Sequence, residues 1–158
     1  MVGPFGAVKE QVSGLYAQTL AERGYIAIAF DPSFTGESGG NVRNVASPEI
    51  NTEDYSAAID FLTTQSLVDT DRLGILGICG FGGIALNNAS MDTRVKASVI
   101  TTMYDMTRYY ANGYNDANDS AEARHQTLEE LNAQRTEDYK NDTLRPHRCQ
   151  CKSGFITS

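Results

Sequence analysis

The chain reads as an α/β protein, a mainly parallel sheet with helices on both faces in three αβα layers. Three observations lead there. Short apolar runs at Tyr25–Phe30, Leu73–Ile78 and Ala97–Thr102 have the length of strands and are bounded by turn residues. Segments with apolar residues at helical spacing separate them, and such alternation builds parallel sheets. Asp31, Cys79 and Asp105 each follow one of these runs, and in parallel sheets functional groups collect beyond the carboxyl ends of the strands.

In chain order, Met1–Ala7 is a Gly- and Pro-containing loop with no strand ahead of it. From Lys9 to Arg23 the residues Val12, Leu15, Tyr16 and Leu20 recur at helical spacing, and Gly24 stops the helix. The Tyr25–Phe30 strand runs into Asp31-Pro32 and a polar loop extending to Ile50. Asn51 or Thr52 caps the next helix, with Glu53 and Asp54 in its first turn and Tyr55, Ala58, Ile59 and Leu62 on its apolar face, ending near Thr64. Asp69–Arg72 leads into the central strand, Leu73–Ile78. Cys79 stands at the apex of the turn that follows, in a cluster of Gly80, Gly82 and Gly83, and Ile84–Ser90 is helical. After the third strand, Tyr109–Asp119 is polar and aromatic, and Ala121–Lys140 is a charged, cap-like helix with a thin seam at Leu128 and Leu131.

With 158 residues, 41% hydrophobic and 21% charged, the chain has the composition of one globular domain. That domain is placed at residues 1–142. Residues 143–158 read as a disordered or aberrant tail, since Arg145–Ser158 holds three basic residues and no acidic one, against an acidic chain before it. The abrupt change suggests a reading frame lost near Asn141–Arg145. A net charge of −7 argues against nucleic-acid or anionic-membrane partners. No apolar run approaches the roughly 18 residues of a membrane span, and no signal-peptide pattern opens the chain, so a cytoplasmic address is expected. Three cysteines do not form a disulfide framework. His147, Cys149 and Cys151 could offer three metal ligands, but the spacing lacks a fourth, and neither metal nor cofactor is expected. The glycine spacing G-x-x-G-x-G-G is not that of a dinucleotide site, and no Gly-Lys-Ser/Thr is present.

Gly77-Ile78-Cys79-Gly80-Phe81 approximates the nucleophile elbow G-x-S-x-G with a thiol for the hydroxyl. It departs from that pattern at Phe81, where the second glycine belongs. Cys79 is then either a nucleophile or a small apolar residue filling a tight turn. Asp105 is either an acid or a cap for the segment after it, Asp31 fixes its own loop, and His125 and His147 face solvent.

Gly3-Pro4-Phe5-Gly6-Ala7-Val8-Lys9-Glu10-Gln11, Asp31 with Gly36-Glu37-Ser38-Gly39-Gly40, and Gly77-Ile78-Cys79-Gly80 with Gly82-Gly83 together resemble the α/β-hydrolases. The closest likeness is to the bacterial, uncharacterised dienelactone-hydrolase-like subgroup. The resemblance covers about Val2–Asp142 and implies a partial α/β-hydrolase fold, of a truncated member. It also implies hydrolysis of a small-molecule carboxylic ester, lactone or related acyl bond. Cys79 would be the nucleophile, and the N–H of Gly80 with those of Phe5 and Gly6 would form the oxyanion hole. The family's triad places an acid and a histidine after later strands, which are not recognisable here. The alternative is a non-catalytic, hydrolase-derived scaffold that forms a homodimer through an exposed sheet edge.

Overall fold

The computed structural model describes residues 1–143; the basic tail, with His147, Cys149 and Cys151, lies outside the described residues from position 144 onward. The described residues fall into two compact units, residues 1–119 and the segment from Ser120 onward.

In the first unit, helix α1 (Val12–Ala21) occupies the middle of the helical stretch that the spacing predicts. Helix α2 (Pro48–Thr63) starts earlier than expected. Ser47, not Asn51 or Thr52, is its cap: Ser47 Oγ accepts from the Ile50 N–H at 3.4 Å, and Asn51 Oδ1 accepts in return from the Ser47 N–H at 2.9 Å. This reciprocal pairing satisfies donors at the helix start, and Pro48 costs nothing there because its missing N–H would be unpaired anyway. Asn51 and Thr52 are therefore buried inside the first turns.

Strand β1 (Leu73–Ile78), helix α3 (Gly80–Met91) and strand β2 (Val95–Thr101) form a β-α-β unit, and the two strands pair in parallel with Ile78 opposite Thr101. Helix α3 begins at Gly80, ahead of the expected Ile84, because the Gly82 N–H already donates to the Cys79 carbonyl at 3.0 Å. Val2 forms a parallel bridge with Gly77, its N–H donating to the Leu76 carbonyl at 3.3 Å. The start of the chain is thus extended against β1, where the sequence suggests only loop. Tyr25–Phe30 is not a regular strand. Its ties to Met1 are a bond from the terminal amine to the Ile28 carbonyl at 2.9 Å and one from the Phe30 N–H to the Met1 carbonyl at 3.4 Å. Two bonds to one residue are too few for a ladder, and Tyr25 and Ile26 stay exposed.

Leu73 and Ile75 pack with Val2, Tyr55, Ile59, Phe81, Ile84 and Ala85 in the core. Leu76 and Ile78, on the opposite face by the two-residue period, are buried as well, so β1 is covered on both sides. The Tyr55 hydroxyl donates to the Leu76 carbonyl at 3.2 Å, pinning α2 to β1. Strand β2 differs, with Lys96–Val99 all exposed. Asp105 caps helix α4 (Met106–Asn112).

The second unit contains helix α5 (Ala121–Asn141), opened by Ser120, whose hydroxyl accepts from the Ala123 N–H at 3.0 Å. No helix among the described residues is long and apolar enough to cross a membrane.

Candidate active site

Cys79 joins β1 to α3 with φ 59° and ψ −127°, a backbone conformation that crowds any side chain bearing a Cβ. Both neighbours hold it there. Its N–H continues the parallel ladder onto the Thr101 carbonyl at 3.0 Å, and its carbonyl starts the helix. The side chain is half-buried. The turn is tight enough to require glycine two residues earlier: a Cβ on Gly77 would lie 2.4 Å from the Phe81 carbonyl oxygen and 2.7 Å from the Ala85 Cβ. The chain thus passes from strand to helix through a strained turn at Cys79.

The extended start of the chain carries the Gly3–Ala7 loop to the same corner. A Cβ on Gly80 would sit 2.3 Å from the Phe5 ring, so the ring lies directly on the Gly80 Cα. Phe5 also meets Phe81 edge to face, with ring centroids 5.0 Å apart at 75°. The loop turns through Gly6 at φ 78°, with the Ala7 N–H donating to the Pro4 carbonyl at 3.0 Å. The backbone N–H groups of Phe5, Gly6 and Gly80 have no acceptor among the described residues. The structure therefore sets the Phe5 ring against Gly80, the residue after Cys79, with Gly6 next to Phe5 in the same loop.

Asp105 is not brought into that group as an acid. Its carboxylate accepts from the Arg108 N–H at 2.9 Å, the capping arrangement, and residues 1–119 contain no histidine for it to orient. His125 is exposed on α5, its Nε2 3.3 Å from the Glu129 carboxylate. No cluster of three metal-ligating side chains exists among the described residues.

Asp31 does fix its loop. The side chain is 2% exposed, and it accepts from the Glu37 N–H at 3.0 Å, the Lys9 N–H at 2.7 Å and Lys9 Nζ at 3.2 Å. Burial alone would raise its pKa, but the Glu37 and Lys9 N–H groups and the Lys9 ammonium outweigh burial and hold the carboxyl below the usual carboxylate range. Lys9 also pairs with Glu10 and Glu37, which with Asp31 hold its ammonium above its ordinary pKa. A further tie joins this loop to α2, where Asp54 accepts from the Ser33 N–H at 2.8 Å and Ser33 Oγ at 2.6 Å, and is steadied within the helix by Asn51 Nδ2 at 2.9 Å. Sequence reasoning misses both networks and reads Asp54 only as a favourable charge at a helix start. No local pattern signals Lys9 as a partner of Asp31.

The chain as a whole is similar to known proteins. Over 141 residues the chain is 61% identical to the uncharacterized protein PA2218 of Pseudomonas aeruginosa, covering 89% of this chain and 38% of that protein. Its crystal structure superposes with a TM-score of 0.83 at 55% identity, over 94% of this chain and 49% of that one. Thiohydrolase aneE of Aspergillus aculeatus is 36% identical over 96 residues, covering 61% of this chain and 30% of that enzyme. The chain thus spans well under half the length of these curated relatives. A family description, X-Pro dipeptidyl-peptidase (S15 family), matches residues 2–156, nearly the whole chain. A parallel β-α-β corner bent at Cys79, faced by the Gly3–Ala7 loop and matched from end to end by that family, makes this chain a member of the S15 family, on the hydrolase scaffold of the α/β-hydrolase superfamily.

Proposed function

We propose that this chain carries the nucleophile and oxyanion donors of an acyl-bond hydrolase. Its substrates would be small carboxylic esters, lactones of the dienelactone type, or thioesters, the last suggested by the name of the thiohydrolase relative. Cys79 Sγ is the nucleophile. The observation that carries this reading is the strained conformation of Cys79 at the start of a 12-residue helix, beside a loop whose Phe5 and Gly6 N–H groups have no acceptor among the described residues. A turn that only needed to be filled would relax onto glycine; strain is kept where a side chain must be presented.

The chemistry follows from the groups present. The Cys79 thiol gives its proton to solvent water, and the positive end of the α3 dipole favours the thiolate that remains. Sγ forms a bond to the carbonyl carbon while the carbonyl π electrons move onto oxygen, where the N–H groups of Gly80 and of Phe5 or Gly6 receive the charge. Collapse expels the alkoxide or thiolate leaving group, which takes up a proton, and leaves an acyl-cysteine. Water then adds to the thioester, releasing the acid and restoring the thiol.

Intact-mass analysis of the full chain after brief exposure to p-nitrophenyl acetate tests this. One acetyl group mapping to Cys79, with release of p-nitrophenol and loss of both in Cys79→Ala, is the expected outcome. Equal release from a folded Cys79→Ala chain would overturn the reading. A second reading, a non-catalytic scaffold that dimerises, draws on β2, which pairs with β1 alone among the described residues and exposes Lys96–Val99.

A further inference from the structure

We infer that Phe81 is a positioning residue: through its ring it sets the Phe5 loop against the elbow and so brings the two sides of the oxyanion hole into register. The inference rests on the acyl-transfer reading above and concerns the residue at which the elbow departs from G-x-S-x-G.

The oxyanion donors come from segments remote in sequence, the Gly3–Ala7 loop and the first turn of α3. Among the described residues no hydrogen bond joins residues 3–7 to residues 79–83, and the internal bond of the loop runs from Ala7 to Pro4. The chain on either side of the loop is tied elsewhere, to Leu76 through Val2 before it and to Asp31 through Lys9 after it. What bridges the gap is apolar. Phe81 is only 3% exposed, fixed in the core on α3, and its ring meets Phe5 edge to face. Phe5 is 36% exposed, and the surfaces seen against its ring are the Phe81 ring and the bare Cα of Gly80.

This arrangement explains the displaced glycines. An aromatic anchor two residues after the nucleophile brings the Phe5 ring down onto position 80, where any Cβ would lie inside it. Glycine is needed there in place of the residue the anchor occupies. The N–H of Phe5 is carried by the backbone of the same residue whose ring is gripped, so a ring that loses its neighbour loosens a donor. Oxyanion stabilisation depends on donors held at hydrogen-bond distance from where the charge develops, without reorganisation.

The test compares the wild-type chain with Phe81→Leu, which keeps an apolar side chain but removes the ring edge. Two rates at Cys79 are followed by mass spectrometry: acetylation by p-nitrophenyl acetate, which needs the oxyanion hole, and alkylation by iodoacetamide, which does not. Acetylation should fall on the order of tenfold, less than the 10²–10³ of a deleted donor, with alkylation unchanged. Phe5→Leu should lose a similar factor, and the double variant should be no worse than either single one, because both remove one contact. Amide exchange in the Gly3–Val8 segment should quicken in Phe81→Leu. Unchanged acetylation, equal losses in both rates, or unchanged exchange in that segment would overturn the inference. A wild-type chain that is never acetylated would instead sink the hydrolase reading, while the exchange measurement would still judge whether Phe81 holds the loop.

Discussion

At position 79 the demands of the backbone and of the side chain can be measured separately. The φ of 59° with ψ of −127° disfavours any Cβ. Cys79→Gly should therefore be more stable than Cys79→Ala by about 1 kcal/mol, the reverse of the ordinary helix preference for alanine. Urea unfolding of the two variants checks this, and alanine proving the more stable would mean that the corner holds no strain. Gly77 and Cys79 were legible in the sequence because close packing and sharp reversal leave few residue choices. Phe81 was legible only as a departure. Its partner Phe5 lies far away in the chain, and no local rule links two aromatic rings across that distance.

Among the elements, β1 and α3 could be read from sequence because one is a bounded apolar run and the other follows a glycine cluster. Tyr25–Phe30 has the composition of a strand but, among the described residues, forms no ladder beyond its two bonds to Met1, and strand formation depends on a neighbour that composition does not reveal. The start of α2 was misplaced because several polar residues precede it, and Ser47 with Pro48 outcompetes Asn51 as the opening pair. The loop from Asp31 to Gly40 supports a pH prediction. Asp31 has a folded-state pKa below its unfolded value, so its contribution to stability is complete above the unfolded value of about 4 and is lost as pH falls through the folded one. Wild type should exceed Asp31→Asn in urea stability by a constant margin from pH 7 to about 5, and the margin should shrink in more acidic solution. A margin that stays constant down to pH 2 would show that the carboxylate charge contributes nothing.

For the whole molecule, the sheet edge that the scaffold alternative expects can be assigned to one strand. Strand β2 leaves Val99 56% exposed and, among the described residues, pairs on one side only. Open edges are templates for a further strand. Sedimentation of the full chain should show self-association that rises with concentration and is weakened by Val99→Lys, which places a charge along the edge; a wild-type monomer at every concentration would remove the scaffold reading. The α/β class was legible from alternation alone, whereas the ties that hold the candidate site in shape were not, since they join side chains from separate segments. One of those ties reaches further than stability. Lys9 gives both of its nitrogens to Asp31, so the Gly3–Lys9 and Asp31–Gly40 segments are fastened to each other. An insertion in the second of these segments would therefore be felt in the first, whose Phe5 ring lies against Gly80.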